Sequence, residues 1–179
     1  TREYKLDDIN EAYADLELTD MAVLLLDEID VDTLEPRDYN QRGLAYHSLG
    51  QYDEAIADFT QVISSQGDPG AMFNRGMAYI GLGQYHRAIE DFDLAIGRVK
   101  GYLYGGDATF FTYFYGKALA NFNLGNFEKS VDDLSRAING FDHPDSAEAY
   151  IIRGISYGQL GRTELARQDL APFMKAIED

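Results

Sequence analysis

The stretch RGLAYHSLGQYDEAIADF, residues 42–59, returns as RGMAYIGLGQYHRAIEDF in residues 75–92. The two copies share the pattern RGxAYxxLGQYxxAIxDF and lie 33 residues apart. Two more divergent copies, residues 115–134 and 151–170, keep the same internal spacing. Four copies at this period predict a helical solenoid, in which each unit is a pair of helices that buries its apolar faces by stacking on its neighbours.

Each copy contains a Leu-Gly pair with apolar residues at helical spacing on both sides of it. The pairs are Leu49-Gly50, Leu82-Gly83, Leu124-Gly125 and Leu160-Gly161. Glycine after the last helical residue readily adopts the left-handed conformation that ends a helix. Glycine inside a helix instead costs about 1 kcal/mol relative to alanine. We therefore expect Gly43, Gly76 and Gly154 to lie where the second helix of the unit approaches closely.

The repeat resembles the tetratricopeptide repeat (TPR) family over nearly the whole chain. Residues that match the family signature are Tyr39, Gly43, Tyr46, Ala55 and Phe59 in the first copy, and Gly76, Tyr79, Ala88, Phe92 and Ala95 in the second. The third copy departs from the signature at Ala118 and Asn121, and the fourth at Thr163. The resemblance implies an all-α fold, a right-handed α-α superhelix of about five helix-turn-helix units.

We predict one solenoid domain over residues 1–179. A degenerate unit is expected in residues 1–35, followed by units at 36–68, 69–110, 111–146 and 147–179. The Leu-Gly pairs are spaced by 33, 42 and 36 residues. The longest interval places an inserted loop at 97–108.

The aromatic stretch GYLYGGDATFFTYFY, residues 101–115, spans the end of this insertion. Phe110, Phe111, Phe114 and Tyr115 follow helical spacing, so we expect them in the solenoid core. Tyr102 and Tyr104 belong to the inserted loop, between glycines. They either form a lip beside a binding surface or cover an adjacent helix end.

The formal net charge of −16 is concentrated in residues 1–35, which hold twelve acidic side chains against two basic ones. An acidic surface repels phosphate, so we expect no nucleic-acid partner. The acidic segment is interpreted as a solvated end of the molecule, with a docking site for a basic partner as the alternative. No apolar run is long enough for a membrane span. The first ten residues show no signal-peptide pattern.

The sequence offers no pattern for catalysis. His47, His86 and His143 lie in different units, and none has a metal-ligand partner on the same helix face. No cysteine, Gly-rich phosphate loop or nucleophile elbow occurs. We therefore predict neither an enzyme nor a bound cofactor or metal.

A basic residue and an aspartate recur sixteen residues apart in every copy. The basic residues are Arg42, Arg75, Lys117 and Arg153, and the aspartates are Asp58, Asp91, Asp133 and Asp169. We expect at least three of the four basic residues to form ion pairs with this row of aspartates. The alternative is that the basic row forms a clamp for an acidic ligand.

The resemblance implies that the first helix of each unit lines a concave groove that binds a partner peptide or helix. Carried over by position, the groove residues are Asn40, Leu44, His47, Phe73, Asn74, Met77, Ile80, Tyr115, Leu119, Phe122, Ile151 and Ile155. The family clamp for acidic C-terminal peptides requires Lys and Asn one turn apart in one unit, and Lys and Arg in a later one. This chain has Asn40 and Leu44, then Thr112 and Gly116, at those places, so we expect no such clamp.

The predicted function is a protein-interaction scaffold or adaptor, whose apolar groove receives an amphipathic segment. Two alternatives remain. The solenoid associates with itself, as a homodimer through the C-terminal helix or the groove, or it is the accessory domain of a larger enzyme or signalling protein.

The last helix contains Pro172, so a kink or break is expected near Leu170. Phe173, Met174 and Ile177 follow it with no further unit to cover them. We expect these side chains either to fold back onto the fourth unit or to contact a second copy.

Overall fold

The computed structural model describes residues 34–99, 108–140 and 147–178. These residues form eight α-helices and no strand, which confirms the all-α fold. The helices are α1 (Pro36–Ser48), α2 (Tyr52–Gln66), α3 (Pro69–Gly81), α4 (Tyr85–Val99), α5 (Ala108–Asn123), α6 (Phe127–Gly140), α7 (Ala147–Gln159) and α8 (Thr163–Glu178). The degenerate unit predicted in residues 1–35 lies, apart from its last two residues, outside the described part of the chain.

The chain divides into two compact units, residues 1–84 and residues 85–179. In the first unit, α2 contacts both α1 and α3, and α1 also contacts α3. In the second unit, each helix from α4 to α8 packs against the next, and α5 also contacts α7. The packing of consecutive helices within each unit is that of helix-turn-helix repeats, whereas the single domain over 1–179 stays a prediction.

The four Leu-Gly pairs are the turns between helices, as predicted. Their glycines all have a positive φ, between 70° and 75°. In the first turn, the N–H of Gln51 donates to the carbonyl of Tyr46 over 2.8 Å, and the N–H of Gly50 donates to that of His47 over 3.0 Å. These bonds satisfy carbonyls that the helix end would leave unpaired. A side chain larger than glycine would be strained at these positions.

The glycines inside first helices mark close contacts with the second helix. A Cβ atom added at Gly43 would lie 2.8 Å from the ring of Phe59, and one added at Gly154 would lie 2.7 Å from Leu170. Phe59 itself is fully buried. The predicted reason for these glycines is therefore confirmed at both hairpins, because the large side chain of the second helix occupies the space that a methyl group would fill.

Of the four aromatic residues of α5 predicted for the core, Phe114 is buried, whereas Phe110, Phe111 and Tyr115 are half-buried. Tyr113 and Phe114 are buried, and the Phe114 ring stacks on that of Phe110 with centroids 6.3 Å apart. Phe111 and Tyr115 stack at 5.9 Å and pack against a cluster of Ala118, Leu134 and Ala149. This stretch is accordingly helix packing rather than a separate aromatic site.

The inserted loop predicted at 97–108 overlaps helices at both ends, because α4 continues through Val99 and α5 begins at Ala108. Residues 95–99 form the last turn of α4, in which Ala95 and Ile96 are buried. Tyr102 and Tyr104, the predicted lip, lie outside the described residues.

The sequence predicted a kink or break near Leu170. Helix α8 continues through Pro172, so the break is absent, and a kink there stays a prediction. Proline leaves one carbonyl without its helical donor, that of Gln168. Gln168 and Pro172 are both exposed, so solvent can satisfy this carbonyl and the helix persists. Beyond the proline, Phe173 is half-buried, but Met174 is 57% exposed and does not fold back onto the unit. The side chain of Ile177 lies outside the described residues.

Candidate protein-binding surface

The predicted groove residues lie on the first helices of the hairpins, at spacings that place them on one face of each helix. In the first compact unit they form what we term the α1/α3 row: Asn40, Leu44, His47, Phe73, Asn74, Met77 and Ile80. In the second compact unit they form the α5/α7 row: Tyr115, Leu119, Phe122, Ile151 and Ile155. Every member is half-buried except Ile155, which is 40% exposed. Neither row contains an Asp, Glu, Lys or Arg.

His47 joins the two helices of the α1/α3 row. Its imidazole is hydrogen-bonded to the backbone of Met77, and its ring meets Tyr52 edge-on with centroids 5.4 Å apart. Burial lowers the pKa of His47, and the hydrogen bond opposes this shift only in part. The side chain is therefore neutral at pH 7 and adds no charge to the row.

Leu44 has a structural role as well. It packs against the buried cluster that contains Ala45, Phe59 and Ala78. A substitution at Leu44 would thus disturb the core as well as the surface, which makes Leu44 a poor probe of binding.

Tyr115 and Glu148 join the two helices of the α5/α7 row. The Tyr115 hydroxyl donates to the Glu148 carboxylate over 3.2 Å. Burial raises the pKa of Tyr115, and the negative charge of Glu148 raises it further. Glu148 could not be predicted as a partner, because this contact joins residues that occupy different positions in their repeats.

The predicted ion pairs between basic residues and aspartates are confirmed at three of the four positions. Arg42 donates two hydrogen bonds of 2.8 Å to Asp58. Arg153 binds Asp169 in the same two-point manner, at 2.7 and 2.8 Å. Lys117 lies 3.9 Å from Asp133. These basic residues therefore lie between helices, and the clamp for an acidic ligand is wrong.

Both arginines are also enclosed by tyrosine rings. Arg42 lies 5.6 Å from the ring centroid of Tyr39 and 5.9 Å from that of Tyr46. Arg153 has the same environment, 5.2 Å from Tyr150 and 6.0 Å from Tyr157. Cation–π attraction and two-point hydrogen bonding fix the guanidinium in place.

The hairpin of α5 and α6 has different side chains around its basic residue, Lys117. Asn121 replaces the second tyrosine, is almost fully buried, and donates to Asp133 over 3.1 Å. Burial raises the pKa of Asp133, although Lys117 and the Asn121 hydrogen bond partly offset the shift. Its basic partner is also the most distant of the three, at 3.9 Å, whereas the arginines lie 2.8 and 2.7 Å from their aspartates.

Three of the four basic residues, Arg75, Lys117 and Arg153, make a contact that the sequence did not predict. Each donates to the residue that follows the large apolar side chain of the preceding hairpin. Arg75 donates to Thr60 over 3.0 Å, Lys117 to Asp93 over 2.7 Å, and Arg153 to Ser135 over 3.3 Å. These contacts join α2 to α3, α4 to α5 and α6 to α7. The three acceptors are Thr, Asp and Ser, which share only an acceptor oxygen. The repeated contact is therefore not visible in the sequence as a repeated residue type.

The described residues contain neither a metal-binding cluster nor a helix that could span a membrane. No group of three or more His, Asp or Glu side chains is placed there to hold a metal ion. None of the described helices is both long and apolar enough to cross a bilayer.

The helix pairs coincide with matches to known repeats. Family models of the tetratricopeptide repeat match residues 36–66, 69–98 and 115–171. A search of curated proteins found no match to the chain.

Solved structures of MamA share the fold. A crystal structure of MamA aligns with a TM-score of 0.77 and 17% identity, over 99% of this chain and 97% of that one. MamA 41-end from Desulfovibrio magneticus RS-1 aligns with a TM-score of 0.75 and 19% identity, over 93% and 90% of the two chains. MamA MSR-1 gives a TM-score of 0.73 and 20% identity, over 95% and 92%. At this level of identity the likeness concerns the fold alone.

Three observations indicate the same repeat. Family models match three stretches of the chain, four glycines form turns between helices, and consecutive helices pack together within each compact unit. Such repeats provide extended surfaces for protein interaction rather than catalytic centres. The chain belongs to the tetratricopeptide repeat family and is a protein-interaction scaffold of that kind.

Proposed function

We propose that the α1/α3 row and the α5/α7 row bind a peptide or helical segment of a partner protein. The observation that carries this proposal is the half-buried state of uncharged side chains along the first helices. A core residue would be fully buried, and an unused surface position would usually be polar. Ile155 is the most accessible member, so the α5/α7 row offers the more accessible apolar contact.

The chemistry of the rows favours a partner segment with an apolar face. Neither row contains a carboxylate or a permanent cation, and the basic residues beside them are bound to acceptors between helices. An acidic peptide would therefore gain little charge compensation in either row. An amphipathic segment would instead bury its apolar side against Leu119, Phe122 and Ile155, with affinity from the apolar area removed from water.

A matched pair of substitutions tests the proposal. Ile155 lies in the α5/α7 row and is 40% exposed, whereas Leu165 lies on the second helix of the same hairpin and is 42% exposed. We expect Ile155→Glu to lose the partner in affinity capture and Leu165→Glu to retain it. Circular dichroism should show the same helical content for both variants, because neither side chain is in the core. Loss of the partner with Leu165→Glu alone would contradict the proposal.

The same proteins test the alternative of self-association. Light scattering over a range of concentrations should give the monomer mass for the wild type. A dimer that Ile155→Glu dissociates would instead identify a second copy as the occupant of the α5/α7 row.

A further inference from the structure

The contacts that join successive hairpins are of two chemical kinds. At α2–α3 and α6–α7, an arginine donates to the neutral hydroxyl of Thr60 or Ser135. At α4–α5, a lysine donates to the carboxylate of Asp93. Among these three contacts, only the α4–α5 contact is an ion pair.

Lys117 lies between two carboxylates on different helices. Its Nζ atom is 2.7 Å from Asp93 on α4 and 3.9 Å from Asp133 on α6. The Asp93 side chain is 54% exposed, whereas that of Asp133 is 7% exposed. The three donors of lysine share one nitrogen, so it lacks the planar fork with which Arg153 binds both oxygens of Asp169 and a third acceptor.

We propose that Lys117 is a salt-sensitive latch. At low ionic strength it joins α5 to α4 through Asp93. When salt screens the exposed Asp93, the ammonium moves to Asp133. The ion pair between α4 and α5 is then lost, while the contact between α5 and α6 strengthens.

The two carboxylates differ in how strongly salt affects them. The Debye length falls from about 10 Å at 0.1 M salt to about 3 Å at 1 M, and an exposed charge is screened far more than a buried one. Burial penalises the negative charge of Asp133, and the nearby charge of Asp93 penalises it further, so Asp133 gains from a closer ammonium. The Arg153–Asp169 pair has no such exposed member, with side chains 12% and 7% exposed.

Hydrogen exchange followed by mass spectrometry measures the release. Between 0.05 and 1 M NaCl, we expect amide exchange in facing parts of α4 and α5 to rise about two- to five-fold, the range for an exposed ion pair. Exchange in α7 and α8 should change less. Asp93→Asn should show the fast exchange already at low salt. The matched variant Ser135→Ala should speed exchange at α6–α7 without making it depend on salt.

The movement of Lys117 requires a separate measurement, because a merely structural ion pair would also respond to salt. A double-mutant cycle with Lys117→Met and Asp133→Asn gives the coupling between these residues from unfolding equilibria. We expect this coupling to at least double in the Asp93→Asn background. A coupling that Asp93→Asn leaves unchanged would overturn the latch, as would wild-type exchange at α4–α5 that is independent of salt.

Discussion

Two glycines four residues apart on α7 have opposite surroundings. A Cβ atom at Gly154 would lie 2.7 Å from Leu170, whereas a Cβ atom at Gly158 would meet nothing within 4 Å. Alanine favours a helix over glycine by about 1 kcal/mol at both sites. We expect Gly158→Ala to stabilise the protein by up to about 1 kcal/mol. At Gly154→Ala the clash should exceed this gain, with a net loss of about 1 to 2 kcal/mol. Urea unfolding of the two variants measures the contrast, and equal shifts would contradict it.

Two aspartates that occupy the same position in their repeats should respond oppositely to neutralisation. Asp58→Asn leaves Arg42 without its two-point partner, so we expect a loss of about 2 to 3 kcal/mol at pH 7. Asp133→Asn removes a poorly compensated carboxylate and can keep the Asn121 hydrogen bond, so stability at pH 7 should be unchanged or higher.

The pH dependence of Asp133 follows from its raised pKa. The folded protein binds this proton more tightly than the unfolded chain does. The cost of the charged carboxylate is therefore fully present above the folded pKa and disappears as the pH falls through it. Any advantage of Asp133→Asn over wild type should shrink in unfolding experiments as the pH is lowered from 7 toward 4. An advantage that grows on acidification would show that the sign of the shift is wrong.

At the scale of the helices, repetition decided what could be predicted. The hairpins, their glycine turns and the Arg42–Asp58 and Arg153–Asp169 pairs follow from residues that recur at fixed spacing. Contacts such as Tyr115–Glu148 could not be predicted, because they join unlike positions of neighbouring units and depend on how the helices pack. For the binding rows, the sequence indicated which helix faces to inspect. It did not indicate that His47 and Tyr115 also join helices.

Replacing Pro172 measures how much this proline destabilises α8. Proline within a helix costs about 3 kcal/mol relative to alanine, through a lost hydrogen bond and a clash with the preceding turn. Because Pro172 is exposed, alanine there would disturb no core packing. We expect Pro172→Ala to stabilise the protein by about 1 to 3 kcal/mol and to slow amide exchange in the second half of α8. Lower stability in this variant would mean that the proline shapes a contact which α8 requires.

Within each compact unit, the described helices contact mainly their neighbours in sequence. In such a solenoid, stability is a sum of local terms and opening need not involve the entire chain. The division into two compact units, residues 1–84 and 85–179, fits this picture of separable parts. Stability measured by one probe is then an average over regions that open with different free energies.

Because the packing is local, a destabilising substitution in one hairpin should increase amide exchange mainly in that hairpin and in the helices that pack against it. Gly154→Ala weakens the packing of α7 on α8, so amide exchange should increase in these two helices and in α6, which packs against α7. Helices α1 and α2 belong to the other compact unit, and their exchange should stay within about two-fold of the wild-type rate because their own packing is unchanged. Gly158→Ala serves as the control, since it alters the same helix without a clash. Exchange that rises equally in α1 and α8 would instead mean that the protein opens as one cooperative body, and that the hairpins are coupled far beyond their direct contacts.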